Sequence, residues 1–465
     1  MAEFNKLRNL KNVRAVSSNA VPGTNFSGTL EFKYSVPNGE SAKPQRGYFT
    51  MALPLPKDLV KTSADNKSAT NMGLINNLVG SIFDNAKFSL NNENTENIEN
   101  WRVYQCMNKL MYSSVEAQKC DGSPMILYPG YYNDDRTQNA EGPSYRKGGA
   151  TDYTVALSLV HKATDEINSK MLMNIDKSSA AVATYALYSE SITNATNVNT
   201  HVLISFPFPF LNVVHPMDND EDYENDDFIP GNTEMKVTFT VNTQLKESFI
   251  YGSDTALTPA ELNVAKFNWF IPTYKDKIYE NVDIKRRCYV TKTYRDNMTT
   301  RGTFTIPASS NIHKIGICVM KHIGLNKQSN IPYFPKTEAW NSFHIQYGSD
   351  KYPANTYVLN TSTVNTWGEA FLDYKMMCDA ENVGETPVIP DLATYMTHPC
   401  WIFQTRLEPG SVLATNIEID ISRIAVVGNL ETDLDICVYM ESLGEYTIKY
   451  GDRGVVEATE FNRIG

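Results

Sequence analysis

Apolar residues return at every second position along most of this chain. Leu30, Phe32, Tyr34 and Val36 alternate with Glu31, Lys33 and Ser35; Met235, Val237, Phe239 and Val241 alternate with Lys236, Thr238 and Thr240. A period of two fits a strand with one buried and one wet face, and little else. The runs are short and end on turn chemistry. Phe343, Ile345 and Tyr347 stop at Gly348-Ser349-Asp350, with Tyr352-Pro353 beyond; 48–53 stops at Pro54-Leu55-Pro56; 78–90 stops at Asn91-Asn92. Segments 284–294, 303–306, 313–320, 416–421, 434–440 and 446–450 follow the same rule. Helical spacing is confined to 98–113 and a short stretch near 258–266. The expectation is an all-β protein with a few short helices.

At 465 residues the chain is too long for one sandwich, and 42% hydrophobic with 11% aromatic residues is enough to fill large cores. Two weak internal matches point to a tandem pair. Lys87–Asn92 resembles Ser342–Tyr347 at an offset of 255, and Thr200–Ile204 resembles Thr397–Trp401 at an offset of 197. The matches keep their order, and the unequal offsets fit loops of unequal growth. The division expected is an arm at 1–24, a first sandwich at 25–255 with a long polar insertion at about 128–200, and a second sandwich at 256–465, opened by Trp269-Phe270-Ile271-Pro272. In the arm, Phe4, Leu7, Leu10 and Val13 fall every third residue among Lys6, Arg8, Lys11 and Arg14. That spacing predicts a short amphipathic, basic helix able to dock on a partner, a membrane or nucleic acid.

Nothing in the sequence assembles into a site of catalysis. None of the seven histidines stands in a metal-binding spacing, and no nucleophile elbow, phosphate loop or dinucleotide fingerprint occurs. No catalytic residue, cofactor or small-molecule substrate is expected. His344 alternates with apolar neighbours and is expected on a strand's polar face. The seven cysteines include no C-x-x-C pair and read as reduced thiols. Net charge is −11, which gives the whole chain no nucleic-acid footprint. Seven of the ten residues in 218–227 are acidic: Asp218, Asp220, Glu221, Asp222, Glu224, Asp226 and Asp227. Tyr223 stands where a calcium loop needs glycine and Ile229 where it needs a bidentate glutamate, so no calcium hand is expected there. A solvated loop, a loosely held cation and a contact with a basic partner patch remain open. The basic residues that interrupt the first apolar positions are unlike a secretory leader, and no apolar run of about 18 residues occurs, so synthesis inside the cell without a spanning helix is expected.

Two sandwiches, decorated loops and a basic arm describe a protein whose product is a surface. Long apolar strands need protected edges, which jelly rolls and neighbouring subunits provide. The chain resembles the double jelly-roll major capsid proteins of double-stranded DNA viruses, in the polinton-like, adintovirus and virophage branch. The resemblance covers most of 25–455. It rests on 82–113, on 202–241 with its LISFPFPF run and Pro230-Gly231-Asn232, on Asn311–Met320, on 343–353 with its Gly348 turn, and on Leu434–Met440 and Tyr446–Tyr450. It implies two tandem jelly rolls, a homotrimer forming a pseudo-hexameric capsomer, and an icosahedral shell completed by penton and minor capsid proteins. It further implies a virion location, cytoplasmic synthesis, and assembly in cytoplasm or nucleus. The 1–24 arm would face an inner membrane, the genome or a minor protein. A single-roll viral capsid or spike protein, and a non-viral tandem β-sandwich binding module, are the competing readings.

Overall fold

The computed structural model describes residues 10–17, 28–54, 60–61, 73–74, 78–114, 175–176, 189–192, 199–210, 228–242, 250–251, 266–298, 302–308, 312–321, 332–335, 337–360, 364–378, 384–389, 391–405 and 416–463. The first half contains β1 (Leu10–Ser17), β2 (Thr29–Ser35), β3 (Glu40–Ala42), β4 (Tyr48–Pro54), β5 (Val60–Lys61), β6 (Gly73–Leu74), helix α1 (Leu78–Ile82), β7 (Phe83–Leu90), β8 (Glu93–Ile98), helix α2 (Trp101–Tyr112), β9 (Ile175–Asp176), β10 (Ser189–Ile192), β11 (Asn199–Pro207), β12 (Ile229–Pro230), β13 (Glu234–Val241), β14 (Ile250–Tyr251) and β15 (Lys266–Lys275). The second contains β16 (Val282–Asn297), β17 (Thr303–Pro307), β18 (Ile312–Lys321), β19 (Glu338–Tyr347), β20 (Asp350–Asn360), helix α3 (Val364–Met377), helix α4 (Leu392–Thr397), β21 (Cys400–Gln404), β22 (Asn416–Ala425), β23 (Leu434–Tyr450) and β24 (Val456–Arg463).

Strand pairing builds two sandwiches with one wiring. In the first, β2-β13-β7-β8 form one sheet, and β11-β4-β15, with β1 on the far edge of β15, form the centre of the other; β10, β3 and β12 extend it. In the second, β17-β22-β19-β20 face β16-β23-β18-β21, and β24 lies on β23. If β1, β2, β4, β7, β8, β11, β13 and β15 are counted from one to eight, the sheets run 1-8-3-6 and 2-7-4-5; β16 to β23 give the same two orders. This is the jelly-roll winding, present twice. The first internal sequence match falls on the fourth strand of each roll (β7, β19); the second lies in β11 in the first roll, but in the second it runs from the end of helix α4 (Thr397) to the first two residues of β21, so it does not align the sixth strands.

Each roll closes on aromatic rings that alternation sends inward. In the first, Phe32 meets Phe267 at 4.8 Å and Phe49 meets Phe239 at 5.1 Å, joining the two sheets edge to face. In the second, Phe343 meets Trp401 at 4.7 Å and Trp340 stacks on Trp401 at 5.4 Å. Phe343 and Ile345 are fully buried, and Gly348 takes φ +62°, the left-handed backbone its turn requires.

Three expectations need correction. Leu10, Lys11 and Arg14 lie in strand β1, not in a helix: Leu10 pairs with Tyr274 and Ser17 with Asn268. Without β1 the edge of β15 would stand open, and that pairing outweighs a local three-residue period. The first roll does not end at 255. Strand β15 pairs with β4, β3 and β1, so Trp269 belongs to the first roll and the crossing to the second lies at 276–281. Residues 78–82 are helical rather than extended. The helix expected near 258–266 lies outside the described residues except Lys266, which opens β15. Most of the 128–200 insertion also lies outside them; its described parts are β9, β10 and the start of β11.

Candidate functional site: the face between the two rolls

Helix α2 leaves the fifth strand of the first roll and lies against the outer face of the second. Its first turn is tied to β16, where the Asn100 backbone amide donates to Thr293 Oγ1 at 3.0 Å and Asn100 Nδ2 to the Thr293 carbonyl at 3.2 Å. Residues Trp101 to Met107, Leu110 and Met111 are all buried. A helix apolar on one side faces a single core; one buried around its circumference has a core on each side. Trp101 packs on Phe83, Phe206 and Phe239 of the first roll and donates from Nε1 to the Val79 carbonyl at 2.8 Å. Tyr104 meets Tyr439 of the second roll at 6.0 Å. Met107 and Met111 lie over Gly316, which has no side chain to hold them off.

Polar groups finish the same face. Glu96 on β8 is buried and accepts the Thr291 amide at 3.1 Å and the Thr291 hydroxyl. Arg295 Nε binds Asp435, and Arg102 lies nearby. Burial, aided by the positive charge of Arg295, lowers the Arg102 pKa to about 10. Glu441 accepts from the hydroxyls of Tyr439, at 2.7 Å, and Tyr112. The Lys314 ammonium sits 4.5 Å from the centre of the Tyr112 ring.

A second seam joins the rolls where β24 begins. Asn91 Nδ2 donates to Thr459 Oγ1 at 2.7 Å, Asn232 Nδ2 to the Gly454 carbonyl at 2.5 Å, and the Tyr450 hydroxyl to the Gly231 carbonyl at 2.9 Å. Asn91 and Asn232 both have positive φ, which asparagine tolerates better than most residues. An open groove of 690 Å³ runs along this seam, lined in part by Glu93, Glu234, Val455 and Glu457.

Among the expected contact residues, Leu10, Lys11 and Arg14 are placed in β1, while Phe4, Lys6, Leu7 and Arg8 lie outside the described residues. So do all seven acidic positions, Asp218, Asp220, Glu221, Asp222, Glu224, Asp226 and Asp227. His344 lies half-buried with Nε2 3.4 Å from Asp420, on the polar face expected for it. Five described cysteines, Cys106, Cys318, Cys378, Cys400 and Cys437, are free and buried. Among the described residues, no three His, Cys, Asp or Glu side chains are grouped as metal ligands, and no helix is long and apolar enough to cross a membrane.

Sequence reasoning missed α3 and the exposed apolar side chains. Trp367, Ala370, Phe371, Tyr374 and Cys378 stand at helical spacing and pack inward, a signal present in the sequence. Leu372 and Met376 on the opposite face are 59% and 60% exposed. Tyr48 on β4 is 44% exposed and stacks on Phe270 at 4.8 Å.

No protein-family model matches this sequence, and no curated protein sequence does. The fold is similar to the crystal structure of the mavirus major capsid protein, with a TM-score of 0.53 at 9% identity over 97% of this chain and 90% of that one. It is also similar to a chain in the 3.5 Å cryo-EM structure of the Sputnik virophage, with a TM-score of 0.51 at 9% identity over 98% of this chain and 89% of that one. At such identity the likeness is one of fold.

Proposed function

We propose that this chain is a major capsid protein: a homotrimer whose six jelly rolls form a pseudo-hexameric tile of an icosahedral virus shell. The observation that carries this reading is the duplication itself. Two rolls of identical winding stand side by side through a buried, unlike-surface contact, so one chain already contains two neighbouring positions of a ring. The fold likeness to the mavirus major capsid protein over nearly the whole of both chains supports it. Virion location follows, as do contacts with penton and minor capsid proteins. The parts of the 1–24 arm outside β1 are the ones proposed to meet a membrane, the genome or a minor protein.

A structural role also matches the physical character of the face between the rolls, where buried aromatic and methionine side chains pack together and polar groups such as Glu96 and Arg295 are paired. Stable interfaces of this kind commonly bury about 2,000 Å² or more, and apolar area contributes about 25 cal/mol per Å² before the cost of association. Negative-stain microscopy of the purified protein tests the reading. Six-lobed particles with a central depression are expected; two-lobed particles of a single chain would refute it.

A further inference from the structure

The internal junction has two halves, and each half has a counterpart elsewhere on the chain that carries exposed apolar side chains among the described residues. One half is a helix between the fifth and sixth strands. In α2, Trp101 anchors the helix in its own roll and the apolar pair Met107 and Met111 reaches the next roll. In α3, at the corresponding place in the second roll, Trp367 is buried against Phe334 and Tyr395, and the apolar pair Leu372 and Met376 faces outward. Both pairs have i, i+4 spacing, so each forms one ridge. Gly368, one turn before Leu372, has open space where a side chain would be.

The other half is the outer face of the third and eighth strands. In the second roll these are β18 and β23, whose register partners Gly316 and Tyr439 receive Met107, Met111 and Tyr104. In the first roll they are β4 and β15, and there the register partners Tyr48 and Phe270 stack on the outer face, Tyr48 remaining 44% exposed. An exposed helical ridge and a half-exposed aromatic pair thus occupy the same places in the fold as the two surfaces that meet inside the chain.

We infer that the Leu372–Met376 ridge of one copy docks on the Tyr48–Phe270 face of the next copy, repeating between chains the contact that α2 makes within one. The contact joins unlike surfaces, so it propagates in one direction and closes only as a ring. Exposed Glu369 on the helix and exposed Arg46 beside Tyr48 put opposite charges at its rim. The inference rests on the trimer proposed above and names the surfaces that form it.

The test uses full-length protein and measures mass by sedimentation equilibrium. Wild type should be a trimer. Leu372→Glu with Met376→Glu (helix variant) and Tyr48→Glu (face variant) should each weaken association by at least about 30-fold, the size of a hot-spot loss. The uncharged pair Leu372→Asn and Met376→Gln should act in the same direction. Mixing the helix variant with the face variant should give a one-to-one dimer, because one intact ridge then meets one intact face and neither chain can extend further. A wild-type trimer with helix variants that still trimerise within threefold of its affinity, or a mixture that stays monomeric, would overturn the inference and leave the trimer standing. A monomeric wild type would overturn the trimer, and this contact with it.

Discussion

The buried pair Arg423 and Glu338 shows how one residue can hold a loop. Arg423 Nε donates to Glu338 Oε2 at 2.8 Å and Nη2 to Oε1 at 2.5 Å, while Nη1 and Nη2 reach the Met298 and Glu431 carbonyls, each at 2.6 Å. Glu338 also accepts the Glu431 amide at 2.7 Å. The pair ties the connection between β22 and β23 to β19. Burying a charge is costly unless it is paired, and removing one partner leaves the other stranded. Arg423→Met should therefore cost about 3–5 kcal/mol in urea unfolding, and adding Glu338→Leu should recover most of that loss. This pair was not legible in the sequence: its members lie 85 positions apart, and alternation says which side of a strand a residue takes, not which distant charge it meets.

At the level of elements, α2 is the piece on which the arrangement of the rolls depends. Trp101→Ala should cost about 3–5 kcal/mol, as for other large buried side chains, measured by thermal or urea unfolding. Gly316 tests the opposite face. A β-carbon there would sit 2.5 Å from Met107 Cε and 3.0 Å from Met111 Sδ. Methionine ends can move, so Gly316→Ala should cost less than Gly316→Val, which overpacks the face by about 1–3 kcal/mol. The sequence made α2 legible because its apolar spacing runs the length of the helix. Strands such as β13 were legible for the same reason, their burial alternating along Glu234–Val241. Strand β1 was misread because an eight-residue segment takes the form its neighbour offers, and the edge of β15 could not be seen from residues 1–24. The boundary at 255 failed likewise: β15 alternates like any strand, and only its partners show which roll owns it.

Across the whole molecule, the buried thiols and phenols set an alkaline limit. Burial pushes Cys318, Cys400 and Cys437 well above their ordinary value of 9.0, and Tyr104, Tyr374, Tyr395 and Tyr439 well above 10.0. The unfolded chain ionises these groups from about pH 9 upward and the folded chain does not, so their contribution to stability is complete below that pH and is lost as pH rises above it. Each such group removes roughly 1.4 kcal/mol per pH unit. The share of tyrosinate absorbance that comes from these four buried phenols should therefore appear in one cooperative step together with the loss of secondary structure, on top of whatever the exposed tyrosines contribute. The proposed assembly adds a constraint at this scale. A chain of two like rolls joined through unlike surfaces either closes with copies of itself or leaves a ridge and a face open. A cryo-EM reconstruction of the purified protein measures this most directly. Three chains in a ring are expected, with roll-to-roll contacts between chains related to those within a chain by a rotation near 60°. Chains that meet through a two-fold axis using the same patch on both sides, or that stay single, would contradict it.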